Sequence, residues 1–218
     1  RKDTFVSKTS NLSDTLGAVV KVFEDAPATK AGGCDKEELF RTLKSIVAEK
    51  YSKVKEPIIF DKGRKWPHPD IMETMENVMG EPVKIVATVR PIAECVASFY
   101  TVDNKSNPGK FTGVKDWMKK SQLMDHFMDS YKAFEEGYEK HPERFCLIEY
   151  DNLVENTQHE LDRVASFLGI EPVVFNPHID QVGEDDNVWM VKDLHKLDET
   201  IGKTELDAEE VLGKELFY

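Results

Sequence analysis

Residues Val83-Lys84-Ile85-Val86-Ala87-Thr88-Val89 form a largely apolar run of strand length. The run stops at Arg90-Pro91 and gives way to Ile92-Ala93-Glu94-Cys95-Val96-Ala97-Ser98-Phe99-Tyr100. The second half has helical periodicity, with Pro91 expected as its first residue and Ile92, Cys95, Val96 and Phe99 expected on one face. A strand feeding a helix in this way is the repeating unit of an α/β fold. Ser98 lies about two helical turns beyond Pro91, so its hydroxyl shares a stripe with the helix start. The Arg90 fork and the Ser98 hydroxyl are thereby expected to converge at the C-terminal end of a parallel strand, where open α/β sheets bind ligands. Together they suit a phosphate. A plainer reading stands beside it: strand ends carry arginines in many α/β proteins, and a serine within a helix needs no ligand.

On either side of this stretch, strands and helices alternate. Helices are expected over 11–23, with Leu12, Leu16, Val19, Val20 and Phe23 in register, and after Asp35, an N-cap, through Leu39, Leu43, Ile46 and Val47. Pro57-Ile58-Ile59-Phe60 is a short strand that ends in the turn Asp61-Lys62-Gly63-Arg64-Lys65-Trp66-Pro67. A helix carrying Ile71, Met72, Met75, Val78 and Met79 leads into the strand at 83–89. Residues 103–113 are polar and turn-rich and are expected as a surface loop. A long helix is expected over about 114–139, its aromatics Phe127, Tyr131, Phe134 and Tyr138 being core residues. Phe145-Cys146-Leu147-Ile148 is a third strand, and a helix over 157–168 closes at Gly169. The alternation predicts a mainly parallel sheet, thin because it has three clear strands.

At 218 residues the chain fits one sizeable domain. Its 41 acidic against 29 basic residues give a formal charge of −12, which argues against sequence-independent binding to nucleic acid or to an anionic membrane. An anionic ligand would need a local basic patch, and Lys62, Arg64 and Lys65 supply one. The cysteines Cys34, Cys95 and Cys146 are too widely spaced for a disulfide framework or a zinc site, and Cys95 and Cys146 are expected as buried thiols. No metal is expected. No signal peptide or transmembrane run is visible, so the expected compartment is the cytoplasm, with a targeting segment ahead of Arg1 left open.

Taken together, the three strand ends resemble those of sulfotransferases that use 3′-phosphoadenosine 5′-phosphosulfate, the bacterial, viral and tyrosylprotein-type members above all. After an apolar strand the family shows an arginine, an acid four residues on and a serine eight residues on. Here these are Arg90, Glu94 and Ser98. The resemblance implies that Arg90 and Ser98 hold the 3′-phosphate of the nucleotide. After the third strand, Tyr150-Asp151-Asn152-Leu153-Val154-Glu155-Asn156 is similar to the family's Tyr-Glu-Asp-Leu-x-Glu-Asn, which implies that Tyr150 lies beside the adenine. A tyrosine offers a stacking face and a hydroxyl, although a half-buried strand-end aromatic would read the same way. Phe60-Asp61-Lys62 resembles the strand end whose lysine lies near the transferring sulfuryl group, where charge builds on the bridging oxygen. Arg64 and Lys65 read better as a solvated basic turn. Asp180-Gln181-Val182 resembles a later family segment followed by a lysine that reaches the nucleotide phosphates. Lys192 is the candidate there, ahead of His195 and Lys196.

The resemblance spans about residues 57–195 and implies a P-loop NTPase-like sulfotransferase fold, a mainly parallel sheet flanked by helices. It further implies that 3′-phosphoadenosine 5′-phosphosulfate is the co-substrate, its bisphosphate the product, and a hydroxyl or amine the acceptor. An oligomer is compatible with the chain. Two departures qualify this. The family's phosphate loop, of the kind Pro-Arg-Ser-Gly-Thr/Ser-Thr, has no match, and residues 1–23 resemble the segment downstream of that loop and its helix. Residues 1–218 are therefore expected to be a single sulfotransferase-like domain, incomplete at its N-terminus; were the loop truly absent from the protein, weak nucleotide binding and little catalysis would be expected. The general base is left unassigned: Phe5-Val6-Ser7-Lys8-Thr9-Ser10 holds no carboxylate or imidazole, and His68 is the nearest substitute, against a structural reading. Two alternatives remain open. One is a non-catalytic remnant or nucleotide-binding protein of the same fold. The other is a nucleotide kinase-like enzyme, which would need a Gly-x-x-x-x-Gly-Lys-Ser/Thr loop and a magnesium-binding acid, for which Asp61 is the only tempting residue. Acceptor contacts are expected from residues 1–10 and 103–113.

Overall fold

The computed structural model describes residues 3–33, 35–176, 202–203 and 206–217. Its elements run β1 (Thr4–Thr9), α1 (Leu12–Asp25), α2 (Pro27–Lys30), α3 (Lys36–Lys50), β2 (Ile58–Lys62), α4 (Pro69–Met79), β3 (Ile85–Val89) and α5 (Ile92–Ser106). They continue with α6 (Val114–Lys120), α7 (Gln122–Lys140), β4 (Phe145–Glu149), α8 (Tyr150–Glu155), α9 (Thr157–Leu168), α10 (Ala208–Leu212) and α11 (Lys214–Phe217). The chain divides into two compact units, Arg1–Ile85 with Ser130–Phe145 and Val86–Asp129 with Cys146–Tyr218. No helix among the described residues is long and apolar enough to cross a membrane.

In the first unit β1 and β2 pair in parallel, Thr4 opposite Ile58 and Thr9 opposite Lys62. A parallel pair needs a crossover, and α1 to α3 provide it. β1 was not among the three strands expected from the sequence. Its residues Thr4-Phe5-Val6-Ser7-Lys8-Thr9 are mostly polar, and Val6 is 63% exposed, so no apolar run announces it. Leu12 and Leu16 of α1, Leu39 and Leu43 of α3 and Met72 and Val78 of α4 are buried. Asp35 caps α3 as expected, its carboxylate accepting the Glu37 N–H at 2.9 Å. His68 caps α4 through Nδ1, which accepts the Asp70 N–H at 3.3 Å. The C-terminal half of α7 adds Phe134 and Tyr138, which meet the Phe145 ring edge-on at 5.7 and 5.6 Å. Gly137 lies against the chain at Pro67, whose carbonyl oxygen leaves no room for a Cβ.

In the second unit β3 pairs with β4. The described residues thus hold two separate strand pairs where one three-stranded sheet was expected. Pro91 is the N-cap of α5 instead of its first residue, with ψ of 135°. Ile92 is 48% exposed, so it leaves the apolar face on which it was expected. Cys146 is buried as expected, whereas Cys95 is half-buried. Cys34 lies outside the described residues. The core joins Val96 and Ala97 of α5, Phe111, Trp117 of α6, Leu123 and Met124 of α7, and Ala208 and Leu212 of α10.

Two expectations around this core need correction. The surface loop is shorter than 103–113, because 103–106 continue α5 and Asp103 is buried. The carboxylate of Asp103 accepts bonds from Trp117 Nε1 at 2.8 Å, Ser121 Oγ at 2.7 Å and Asn107 Nδ2 at 2.8 Å. The helix expected over 114–139 is broken at Ser121, which is extended at ψ 124° and whose hydroxyl accepts the Leu123 N–H at 3.2 Å. A serine that caps the next helix while its hydroxyl donates to a buried carboxylate has a reason to interrupt the helical run. Gly169 ends α9 in the left-handed region at φ 73°, as expected.

Candidate functional site

At the ends of β3 and β4 the chain turns into α5 and α8, and between those two turns lies a cavity of about 360 Å³. Val89, Arg90 and Pro91 line it from one side and Glu149, Tyr150 and Asp151 from the other, with Glu94 of α5. Arg90 sits in the extended link before α5, and Tyr150 is the first residue of α8. The guanidinium carbon lies 4.9 Å from the centre of the Tyr150 ring, a cation–π contact. Arg90 Nη2 and Nε donate to one oxygen of Glu94, Oε2, at 2.8 and 3.1 Å. The Tyr150 hydroxyl donates to the Gly202 carbonyl at 3.1 Å.

Lys203 Nζ pairs with Asp151 at 3.1 Å. Its hydrogen bond with Asp151 and the charges of Asp151, Glu155 and Glu94 push its pKa up, so it is a fixed cation. Burial pushes the Cys95 thiol up, with Arg90 opposing, so Cys95 stays a neutral thiol beside the Arg90–Glu94 pair. Two cations, Arg90 and Lys203, therefore stand against the three carboxylates Glu94, Glu149 and Asp151. Among the described residues the surroundings of the cavity carry no surplus of positive charge, so the directed N–H groups of Arg90 are the groups there suited to an anion.

The structure brings together Arg90 and Tyr150 of the residues singled out from the sequence. Ser98 lies further along α5, half-buried, and is not among the residues that line the cavity. Lys192, with Asp180, Gln181, Val182, His195 and Lys196, lies outside the described residues. Sequence reasoning missed Lys203 and Gly202. They sit past the expected end of the resemblance, where only a basic residue after a glycine could have drawn notice.

Lys62 belongs to the first unit. Its backbone is fixed from both sides: the Lys62 N–H donates to Ser7 Oγ at 2.8 Å, and the Ser10 N–H donates to the Lys62 carbonyl at 2.6 Å. The side chain is exposed. Asp61 beside it accepts from Trp66 Nε1 at 2.7 Å and from the Tyr51 hydroxyl. Both Asp61 oxygens thus serve to order the turn. Among the described residues no group of three or more His, Cys, Asp and Glu side chains forms a possible metal centre. With Nδ1 given to the cap of α4, His68 has a structural task.

Residues 9–184 match the model of the family described as the sulfotransferase domain. The chain belongs to this sulfotransferase family. No curated protein matches it. Among solved structures, the sulfotransferase domain from the curacin biosynthetic pathway is similar to it at a TM-score of 0.42 and 19% identity, over 76% of this chain and 56% of that one. The chain thus spans a little over half the length of that structure. Both the Lys62 turn and the Arg90–Tyr150 cavity fall within the matched sulfotransferase region, and Gly202 and Lys203 lie beyond it.

Proposed function

We propose that this sulfotransferase moves a sulfuryl group from 3′-phosphoadenosine 5′-phosphosulfate to a hydroxyl or amine acceptor. The observation that carries the reading is the Arg90 guanidinium, clamped between the Tyr150 ring and Glu94 at the edge of a cavity where β3 and β4 end. A planar fork whose far N–H groups have no partner among the described residues suits a phosphate, and an aromatic face beside it suits a base. In this reading Arg90 binds the 3′-phosphate, with Ser98 as a further donor along α5, and Tyr150 contacts the adenine. Lys203, held at Asp151, is a second cation beside the nucleotide. Lys192 keeps the phosphate role that its segment implies.

In the reaction the acceptor atom attacks sulfur while the bond from sulfur to the bridging oxygen of the 5′-phosphosulfate breaks. The electrons of that bond leave on the bridging oxygen, and the acceptor's proton passes to a base. Lys62 is proposed to neutralise the charge on that oxygen, on the strength of the Phe60-Asp61-Lys62 motif and of a turn that fixes its backbone. Positioning and charge stabilisation carry most of such a transfer.

The test is donor kinetics. Arg90→Ala is expected to raise the apparent KM for the donor by about 30-fold, the equivalent of one charge-assisted contact. Unchanged donor kinetics in that variant would refute the assignment.

A further inference from the structure

We propose that Glu94 is a positioning residue for the donor's 3′-phosphate, acting through Arg90. The inference rests on the reading of the cavity as the donor site and goes one step past it. An arginine head carries five N–H groups in two forks. Glu94 takes Nε and one Nη2 hydrogen on a single oxygen, Oε2, and so occupies one edge of the plane. The guanidinium carbon also lies over the Tyr150 ring, 4.9 Å from its centre. Three N–H groups remain, all directed away from that edge. Among the described residues no hydrogen bond to them is present, and Arg90 lines the cavity.

An arginine in an extended link has four side-chain torsions and no reason of its own to point one edge at the cavity. Glu94 removes that freedom. It stands on the first turn of α5, four residues on, so its carboxylate is fixed by a helix and not by a loop. The Arg90 and Glu94 side chains are 20% and 33% exposed, so the pair is sheltered from full solvent screening. Because one Glu94 oxygen serves both donors, the acid leaves the far fork free instead of competing for it.

The opposite role would be a stand-in counterion that the phosphate must displace. The two roles differ in sign. The experiment compares the affinity of the full chain for adenosine 3′,5′-bisphosphate with its affinity for adenosine 5′-monophosphate, which lacks the 3′-phosphate. Glu94→Ala is expected to cut the preference for the bisphosphate at least tenfold, almost wholly by weakening the bisphosphate. Glu94→Gln, whose amide oxygen can still accept from Nε and Nη2, is expected to keep most of the preference. Should Glu94→Ala not fold, Glu94→Met, of similar length and without an acceptor, is expected to behave as Glu94→Ala does.

A preference that is unchanged or larger without the carboxylate overturns the proposal, as does an equal weakening of both nucleotides. Arg90→Ala separates this from failure of the site itself. If Arg90→Ala abolishes the preference and removal of the Glu94 acceptor does not, only the Glu94 role falls. If Arg90→Ala leaves the preference intact, or the unaltered chain shows none, the donor-site reading falls and this role with it.

Discussion

Two polar clusters in the second unit are built from the same materials and end up opposite in kind. Around Asp103 a carboxylate meets three neutral donors, the indole of Trp117, the hydroxyl of Ser121 and the amide of Asn107. Around Arg90 a cation meets one carboxylate oxygen and one aromatic ring, and three of its N–H groups have no hydrogen-bond partner among the described residues. The first cluster is closed on itself and buried, so it fixes the junction of α5, α6 and α7. The second is open and lines a cavity, so its remaining donors need either water or a ligand. The difference teaches that the number of polar groups matters less than whether the cluster exhausts them. Asp61, with Tyr51 and Trp66, is of the closed kind.

The largest expected effect comes from breaking the closed cluster. Asp103→Ala leaves two buried donors, on Trp117 and Ser121, without their acceptor and should cost about 3 kcal/mol of stability, read as a fall in melting temperature. Nucleotide affinity of the molecules that remain folded should not change. Arg90→Ala should do the reverse: about 30-fold weaker nucleotide binding with a melting temperature close to that of the unaltered protein. If either variant shows the other's phenotype, the contrast between closed and open clusters is wrong.

Acid sharpens the same contrast. Burial alone would raise the Asp103 pKa, but hydrogen bonds from Ser121, Trp117 and Asn107 and the charge of Lys110 outweigh it and hold the carboxyl below the usual range. A depressed folded pKa means that the stabilisation is present above the unfolded pKa. It is lost as pH falls below about 4 and on through the folded value. Asp103→Asn should therefore show a shallower loss of stability across that acid range, measured by denaturant melts at stepped pH. An acid limb identical to that of the unaltered protein would count against a charged Asp103. The smallest effect belongs to Tyr150. Tyr150→Ala should weaken nucleotide binding about fivefold through loss of the ring face. Tyr150→Phe keeps the face, loses only the bond to the Gly202 carbonyl and should stay within about twofold.

Much of this was legible in the sequence because it depends on local pattern. The strand–Arg90–Pro91–helix unit, the Asp35 cap and the Gly169 stop all follow from runs, periodicity and turn residues, while Tyr150 was reached through the family resemblance. What was not legible depends on partners distant in the chain. β1 is a strand because Thr4–Thr9 finds β2 more than fifty residues later, and its own mostly polar residues do not demand it. Asp103 reads as a loop residue until Trp117 and Ser121 are seen to donate to it, and Ser121 reads as mid-helix until that same contact is seen. In the site, the Arg90–Glu94 spacing was visible as a motif. That Glu94 takes one edge of the guanidinium while its carbon lies over the Tyr150 ring is a matter of side-chain geometry that spacing does not contain. Lys203 was invisible for a similar reason, since its link to the site is an ion pair with the distant Asp151.

The central claim is that the free edge of Arg90 binds a 3′-phosphate. Calorimetric titration of adenosine 3′,5′-bisphosphate into the full chain and into Arg90→Ala tests it most directly. The account predicts measurable binding to the unaltered chain, about 30-fold weaker binding to the variant, and weak binding of adenosine 5′-monophosphate to both. Equal affinity of the two proteins for the bisphosphate, with Arg90→Ala folded, would contradict it.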